Sequence, residues 1–539
     1  MAADSYSFTG LHVAWMAGSI AAGLLLYFRP KPRLALAILI LAHGLAFLGY
    51  YSGLPRPYAI GASSDRALVM GMAMAVADGG SPFDHVQIEF GNLEPFWTFF
   101  VAALSGFSSD RVPFVYDRMG LLSLALTAIG FFVAWARVAE GEREDDAGWR
   151  GALVAASVLG LSSMLLPSSN LQFFWQANFV FKPNHSLGFV FVGLMSRFFF
   201  SKTTWWRLAL VQALLFWVFI LDWGYVLPAI AFALLLERER AAAIRTSVAA
   251  TIAALVAGAP YLAHLLRDYK PAAKEGLPEI WRDKLAEVLA SPFLWTLDFG
   301  LLFALFVIGI TLLYRLRREE TVAFGFLLSG VLVTVCYLIG ARVGFSPEPD
   351  EGYSYWRLVA ATGAGYAIWR GGLLVRERLG ARFTRAAWPI AFATTLACSL
   401  PAYFDPMTDD RLFPRSITPL PPPVLATAQW LRANTTVKSV LISAEGIMLS
   451  GVTGRRFLMV RPDQTADRAE RESAEADILT SLDEETVQRA VRRYGVTHIV
   501  LDGKLREKYG DGVKGLGDRP WFQPETANAF ARILSLRLR

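Results

Sequence analysis

The chain has 539 residues, of which 54% are hydrophobic, 13% aromatic and only 18% charged, with a mean hydropathy of +0.39. This balance excludes a disordered chain, a fibrous repeat and a disulfide scaffold, since the two cysteines, Cys336 and Cys398, both lie in apolar runs. The net charge is +6, yet the basic residues cluster in short loops between apolar runs, so they read as topology signals and lipid-headgroup contacts and not as a nucleic-acid surface.

Residues 1–10 carry no Lys or Arg, so the positive region of a cleaved leader is missing and residues 11–28 read as a retained helix. Further apolar runs able to cross about 30 Å of hydrocarbon fall near residues 34–52, 113–136, 151–167, 185–200, 246–266, 295–314, 321–340, 356–373 and 386–403. Residues 208–236 are too long for one ordinary span. Asp222-Trp223-Gly224 in their middle reads as a tight reversal between two short helices, which brings the expected total to about twelve spans.

The basic loops 29–33, 137–150, 202–207, 237–245, 315–320 and 370–385 lie on alternate connections, and the positive-inside rule makes them cytoplasmic. The long first loop, residues 53–112, then faces outward with loops 168–184, 267–292 and 341–355 and everything after residue 403. This topology closes only if residues 95–107 do not span. A segment of about thirteen residues opening on Glu94-Pro95 suits a helix lying in the outer interface.

After Pro401 the composition becomes that of a soluble protein. Leu420-Pro421-Pro422-Pro423 reads as a rigid linker, and residues 424–433 and 483–494 as helices. Val440-Leu441-Ile442-Ser443, Phe457-Leu458-Met459-Val460 and His498-Ile499-Val500-Leu501 read as short strands. The expected fold is an α-helical polytopic membrane domain over residues 1–403, carrying the long first loop, and a small extracytoplasmic α/β domain over residues 404–539. The latter has no GxGxxG or phosphate-loop signature and no metal-ligand spacing.

In the first loop Ser64-Asp65-Arg66 is followed by Met70-Gly71-Met72, by Gly79-Gly80-Ser81-Pro82-Phe83-Asp84, and by Glu89 and Glu94-Pro95-Phe96-Trp97. An acid soon after the first spans, a short helix, a Gly/Ser-Pro turn and a Pro-aromatic interfacial helix follow in order. The order resembles the first periplasmic or lumenal loop of the GT-C glycosyltransferases, notably the protein O-mannosyltransferases and the lipid A aminoarabinose transferases. The basic turn after the next span, the hairpin in residues 208–236 and Arg357 before a span rich in small residues are similar to the same families. Two positions depart from their pattern: Asp65 is followed by Arg66 where paired acids are usual, and Glu94-Pro95 stands where they carry Pro-Pro.

The resemblance implies a GT-C-like enzyme of the bacterial inner membrane, its carboxyl-terminal domain on the periplasmic side. It would move a hexosyl or pentosyl unit from a polyprenyl-phosphate donor to a lipid, glycan or protein acceptor at the outer face. Such a transfer needs an acceptor hydroxyl made nucleophilic and a leaving phosphate held. Asp65 is the candidate base, against the plainer reading of a solvated loop acid paired with Arg66. Arg357 and Lys182, at outer span ends, are candidate phosphate ligands through charge-assisted hydrogen bonds. Each reads equally as an interfacial anchor among aromatic residues.

Arg66, Asp84, Glu89, Glu94, His185 and Asp222 are candidate substrate contacts. Asp222 serves as well as a helix cap, and His185 as a cap or a surface residue. Asp84, Glu89 and Glu94 offer hard oxygen donors of the kind that suits Mg²⁺ or Mn²⁺; nothing in their spacing fixes a geometry, so no cofactor is predicted and a divalent metal stays an open alternative. Two rival functions belong beside the transferase. A transporter or flippase for a lipid-linked saccharide would show repeated halves and mid-membrane charges, whereas these polar candidates collect at outer span ends. A glycan polymerase or ligase of related fold, or a non-catalytic assembly protein, is separated only by substrate analysis.

Overall fold

The computed structural model describes residues 64–116, 205–268, 301–342 and 420–537, with short omissions, and isolated positions between 356 and 380. The expected spans 11–28, 34–52, 151–167, 185–200 and 386–403, and most of 113–136, lie outside the described residues, as do Lys182, His185 and Arg357.

In chain order the first loop holds α1 (Ser64–Ala77) and α2 (Pro95–Leu104), followed by α3 (Trp205–Val218), α4 (Ile220–Leu236), α5 (Arg240–Asp268), α6 (Leu301–Arg315) and α7 (Thr321–Arg342). Beyond residue 420 come α8 (Pro422–Asn434), β1 (Val440–Ile442), α9 (Gly446–Thr453), β2 (Arg456–Phe457), α10 (Arg468–Thr480) and α11 (Glu484–Tyr494). The chain then continues through β3 (Val496–Asp502), α12 (Gly503–Tyr509), β4 (Phe522–Ala527) and β5 (Ala531–Leu536). It divides into two compact units. One is Met1–Leu54, Met119–Ala259 and Gly276–Arg415; the other is Pro55–Arg118, Pro260–Glu275 and Ser416–Arg539.

In the first unit the helices are apolar along most of their length. Arg240–Arg267 is, among the described residues, the stretch long and apolar enough to cross a membrane, with 28 residues at a mean hydropathy of 1.6; at 1.5 Å per residue it reaches about 42 Å. Leu208, Val211 and Leu215 of α3 pack with Tyr225, Val226, Ile230 and Ala233 of α4 and with Ala250 of α5. Helices α4 and α7 approach backbone to backbone, for a Cβ on Gly325 would stand 2.6 Å from the Ala229 carbonyl oxygen. Polar groups along this seam bond to main chain: the Ser329 hydroxyl donates to the Tyr225 carbonyl, and the Tyr225 hydroxyl to that of Phe326 at 3.2 Å. This is how an apolar layer tolerates them. Glu320 meets Arg370 at 3.3 Å and accepts from the Tyr366 hydroxyl at 3.2 Å. Residues from two of the basic loops therefore touch.

The expected reversal at Asp222-Trp223-Gly224 is not there. Those residues are helical within α4. An acid followed by a glycine suits a helix's first turn as well as a reversal, since negative charge there complements the helix dipole.

The second unit holds a five-stranded sheet in the order β2-β1-β3-β5-β4. Strands β2 and β3 flank β1 in parallel, while β5 runs antiparallel to both β3 and β4. Helix α11 shows the local logic: Asp483 accepts from the Glu485 and Thr486 amides at 3.3 and 3.1 Å, and Gly495 at φ 66° ends the helix. Between them Val487, Ala490, Val491 and Tyr494 join Ile442, Ile478, Val496, Ile499 and Leu534 in the core. The strand expected over residues 457–460 is only Arg456–Phe457. Pro422 and Pro423, expected in a linker, begin α8, where a missing amide hydrogen costs nothing.

The first loop lies in this second unit, whereas the sequence groups it with the membrane domain. The Phe457 amide donates to the Val86 carbonyl at 2.7 Å and the Ile88 amide to the Phe457 carbonyl at 3.2 Å. Val86-Gln87-Ile88 thus extends the sheet beyond β2 in parallel, and Ile88 enters the core.

Candidate functional site

Asp65 and Arg66 lie in the first turn of α1. The body of that helix is sunk into the second unit, with Ala67, Leu68, Val69, Met70, Met72, Ala73 and Met74 all buried. Gly79, at φ 90°, turns the chain away after the helix. The segment from Asp78 onward is rich in acids, and arginines from the carboxyl-terminal residues meet them. Asp78 pairs with Arg455 at 2.8 Å, Glu89 with Arg471 at 3.2 Å, Asp110 with Arg432 at 2.7 Å, and Asp84 with Arg456.

Two of these arginines are hubs. Arg455 also donates to Thr435 Oγ1 at 3.0 Å and to the carbonyls of Thr453 and Arg432 at 3.2 and 2.9 Å. Arg471 donates to Asp467 at 2.7 Å and to the carbonyls of Ile88 and Leu458 at 3.1 and 2.8 Å. Its guanidinium stands 5.7 Å from the Tyr494 ring centre, and burial pushes that tyrosine's hydroxyl up in pKa. Planar five-donor groups are what such multiple contacts need.

Glu94 precedes α2 and is buried; its amide donates to Asn92 Oδ1 at 2.8 Å and its carbonyl accepts from the Thr98 amide at 3.0 Å. Pro95 then starts α2, where its fixed φ is already helical. One face of α2 is inside, with Trp97, Thr98, Val101 and Ala102 buried, while Phe96, Phe99 and Leu104 are exposed on the other. Phe83 contacts the His264 ring at 4.9 Å between centroids, a contact within the second unit, which includes Pro260–Glu275.

Of the residues singled out from sequence, the second unit contains Asp65, Arg66, Asp84, Glu89 and Glu94. Asp84 and Glu89 are engaged by arginines. Asp222 belongs to the first unit, 1% exposed in the first turn of α4. Sequence reasoning missed Arg432, Arg455, Arg456 and Arg471; the doublet Arg455-Arg456 after Gly454 was the one local sign. Among the described residues no group of three or more His, Cys, Asp or Glu side chains could hold a metal ion.

No family model matches the chain, and no curated protein does. Solved structures do. Apo ArnT from Cupriavidus metallidurans superposes with a TM-score of 0.50 at 12% identity, over 93% of this chain and 97% of that one. The oligosaccharyltransferase of Archaeoglobus fulgidus tethered to an acceptor peptide gives 0.47 at 12% identity, over 98% and 74%. The arabinofuranosyltransferase AftD from Mycobacteria gives 0.46 at 15% identity, over 90% and 41%. The likeness to ArnT, which runs nearly end to end in both chains, shows that the two share a fold, the GT-C fold.

Proposed function

We propose that this chain is an integral membrane glycosyltransferase that moves a sugar from a polyprenyl-phosphate donor to an acceptor at the outer face of the membrane. The observation that carries this reading is the GT-C fold combined with an acid, Asp65, in the first turn of the first-loop helix. Asp65 takes the proton from an acceptor hydroxyl as its oxygen attacks the anomeric carbon. The bond from that carbon to the phosphate oxygen breaks, and the polyprenyl phosphate leaves with the electron pair. Arg357 and Lys182 hold the departing phosphate by charge-assisted hydrogen bonds. Arg66, beside the base in sequence, contacts the substrate. Asp84 and Glu89, already paired with Arg456 and Arg471, anchor the loop and leave the proton chemistry to Asp65.

The test is release of polyprenyl phosphate from a panel of synthetic undecaprenyl-phosphate-linked pentoses and hexoses by the purified chain in lipid nanodiscs. Asp65→Asn should slow turnover by about 10²–10⁴-fold, the usual loss of a general base, with donor binding retained. Arg357→Ala should act mainly on donor affinity, because the phosphate is bound in the ground state too. Near-full turnover by a well-folded Asp65→Asn protein would remove Asp65 from the chemistry. A chain that moves the lipid-linked sugar across a bilayer without breaking its bond to phosphate is a flippase instead.

A further inference from the structure

Helix α1 is held against α9 by contacts that leave no room for a side chain. A Cβ on Gly71 would lie 2.4 Å from the Ser450 carbonyl oxygen, and one on Gly451 2.9 Å from the Cβ and 3.0 Å from the Cα of Ala67. Gly454, at φ 64°, would place its Cβ 2.8 Å from the Ala75 amide nitrogen. Ala67, Gly71 and Ala75 recur every fourth residue, so one face of α1 meets α9 backbone to backbone along its length. In such a seam no flexible side-chain end exists to absorb a change in volume. The end of α1 is fixed as well, because Asp78 pairs with Arg455, whose other nitrogens are tied to Thr435, Thr453 and Arg432. The first turn, with Asp65, extends just beyond Ala67, where the seam begins.

We propose that Gly71, Gly451 and Arg455 are positioning residues for Asp65. The carboxyl-terminal residues then take part in the reaction by fixing the rotation and height of α1, without touching substrate. This rests on the reading of Asp65 as the base, and the test separates the two. A reporter thiol, Asp65→Cys, is made in a chain with Cys336→Ser and Cys398→Ser, and its modification by a small water-soluble methanethiosulfonate is timed in nanodiscs with and without Gly71→Ala. A control thiol, Glu484→Cys, sits at the start of the exposed face of α11.

Gly71→Ala should change the reporter's rate at least about threefold while leaving the control thiol unchanged, which a general loosening of the fold would not do. In the chain that keeps Asp65, the same substitution should lower kcat for the donor by about 10²-fold, the order expected for a displacement of about 1 Å, with KM within about twofold. The double variant Asp65→Asn/Gly71→Ala should be no slower than Asp65→Asn alone, since both act on one step. An unchanged reporter rate in folded Gly71→Ala protein overturns the proposal. A changed reporter beside normal turnover by Asp65→Asn leaves the seam standing and removes the assignment of Asp65 as base. If Gly71→Ala does not fold, Asp78→Asn is read in the same way, because it removes one ion pair and adds no volume.

Discussion

Arg471 and Glu89 meet at 3.2 Å although 382 residues separate them in sequence. The arginine is almost wholly buried and also satisfies the carbonyls of Ile88 and Leu458, whereas the glutamate is half exposed. The two ends of the pair are therefore unequal in what their loss costs. Arg471→Leu strands buried acceptors and should destabilise the protein by about 3–5 kcal/mol. Glu89→Gln should cost no more than about 1 kcal/mol, as for a partly solvated pair. Thermal unfolding in detergent reads both; equal losses would refute this asymmetry.

If Asp84 serves as an anchor for the loop and not as a substrate acid, its contact with Arg456 allows a direct test. Asp84→Arg and Arg456→Asp should each reduce donor turnover, and the double exchange should restore most of it, because both side chains retain enough exposure to re-form the pair in reverse. Activity that stays lost in the exchanged protein would mean that the carboxylate itself is needed at position 84.

Helix α2 has ten residues, about 15 Å, which is half of what a span requires. Its outer face carries Phe99 at 46% and Leu104 at 52% exposure, with Phe107 at 50% just beyond, against 1% for Trp97. Spin labels at Phe99→Cys and Phe107→Cys in nanodiscs should collide with oxygen in preference to a nickel chelate, as they would within the headgroup-acyl boundary. A label at Thr98→Cys should meet neither. Free access of the nickel chelate to Phe99→Cys would put this face in water.

His498 is half-buried beside Trp430, with its Nδ1 2.9 Å from Thr497 Oγ1. Burial holds its pKa below the ordinary histidine value, against a smaller opposing pull from Glu525. The unfolded chain then takes up this proton at a higher pH than the folded chain does. Stability from this group is complete above about pH 6.5 and is lost as pH falls toward the folded-state value. His498→Gln should flatten the acid side of a plot of Tm against pH below about 6.5. Parallel curves for the two proteins would assign the acid sensitivity to other groups.

The elements legible in the sequence were those whose signals are local. Asp483 before Val487, Ala490 and Val491 announces α11, and Glu94-Pro95 announces α2, because caps and helix periodicity act within a few residues. Strand β1 and the Ile499-Val500-Leu501 stretch of β3 are continuous apolar runs because both strands are interior in the sheet. The hairpin β4–β5 escaped notice because β4 is an edge strand, Phe522-Gln523-Pro524-Glu525-Thr526-Ala527, whose polar residues and proline suit an edge but weaken a strand pattern. Helix α9 contains Gly446 and Gly451, residues that argue against a helix until α1 is packed on it. Asp65 was legible as an acid at a loop helix, but the arginines that meet the loop's other acids come from beyond residue 430, where nothing local points back to it.

The order of synthesis gives the pairing of Val86-Gln87-Ile88 with β2 a temporal side. Asp84 precedes Arg456 by 372 residues, so at translation rates of about 5–20 residues per second the loop waits about 20–70 s for its partner. During that interval the helices of the membrane unit between them are made while the loop has no sheet to join. Asp78, Asp84, Glu89 and Asp110 are then unpaired, and their charge keeps an otherwise apolar segment hydrated until the arginines emerge. The acids thus have two successive employments on one chain: solubilising a nascent loop, then fastening it.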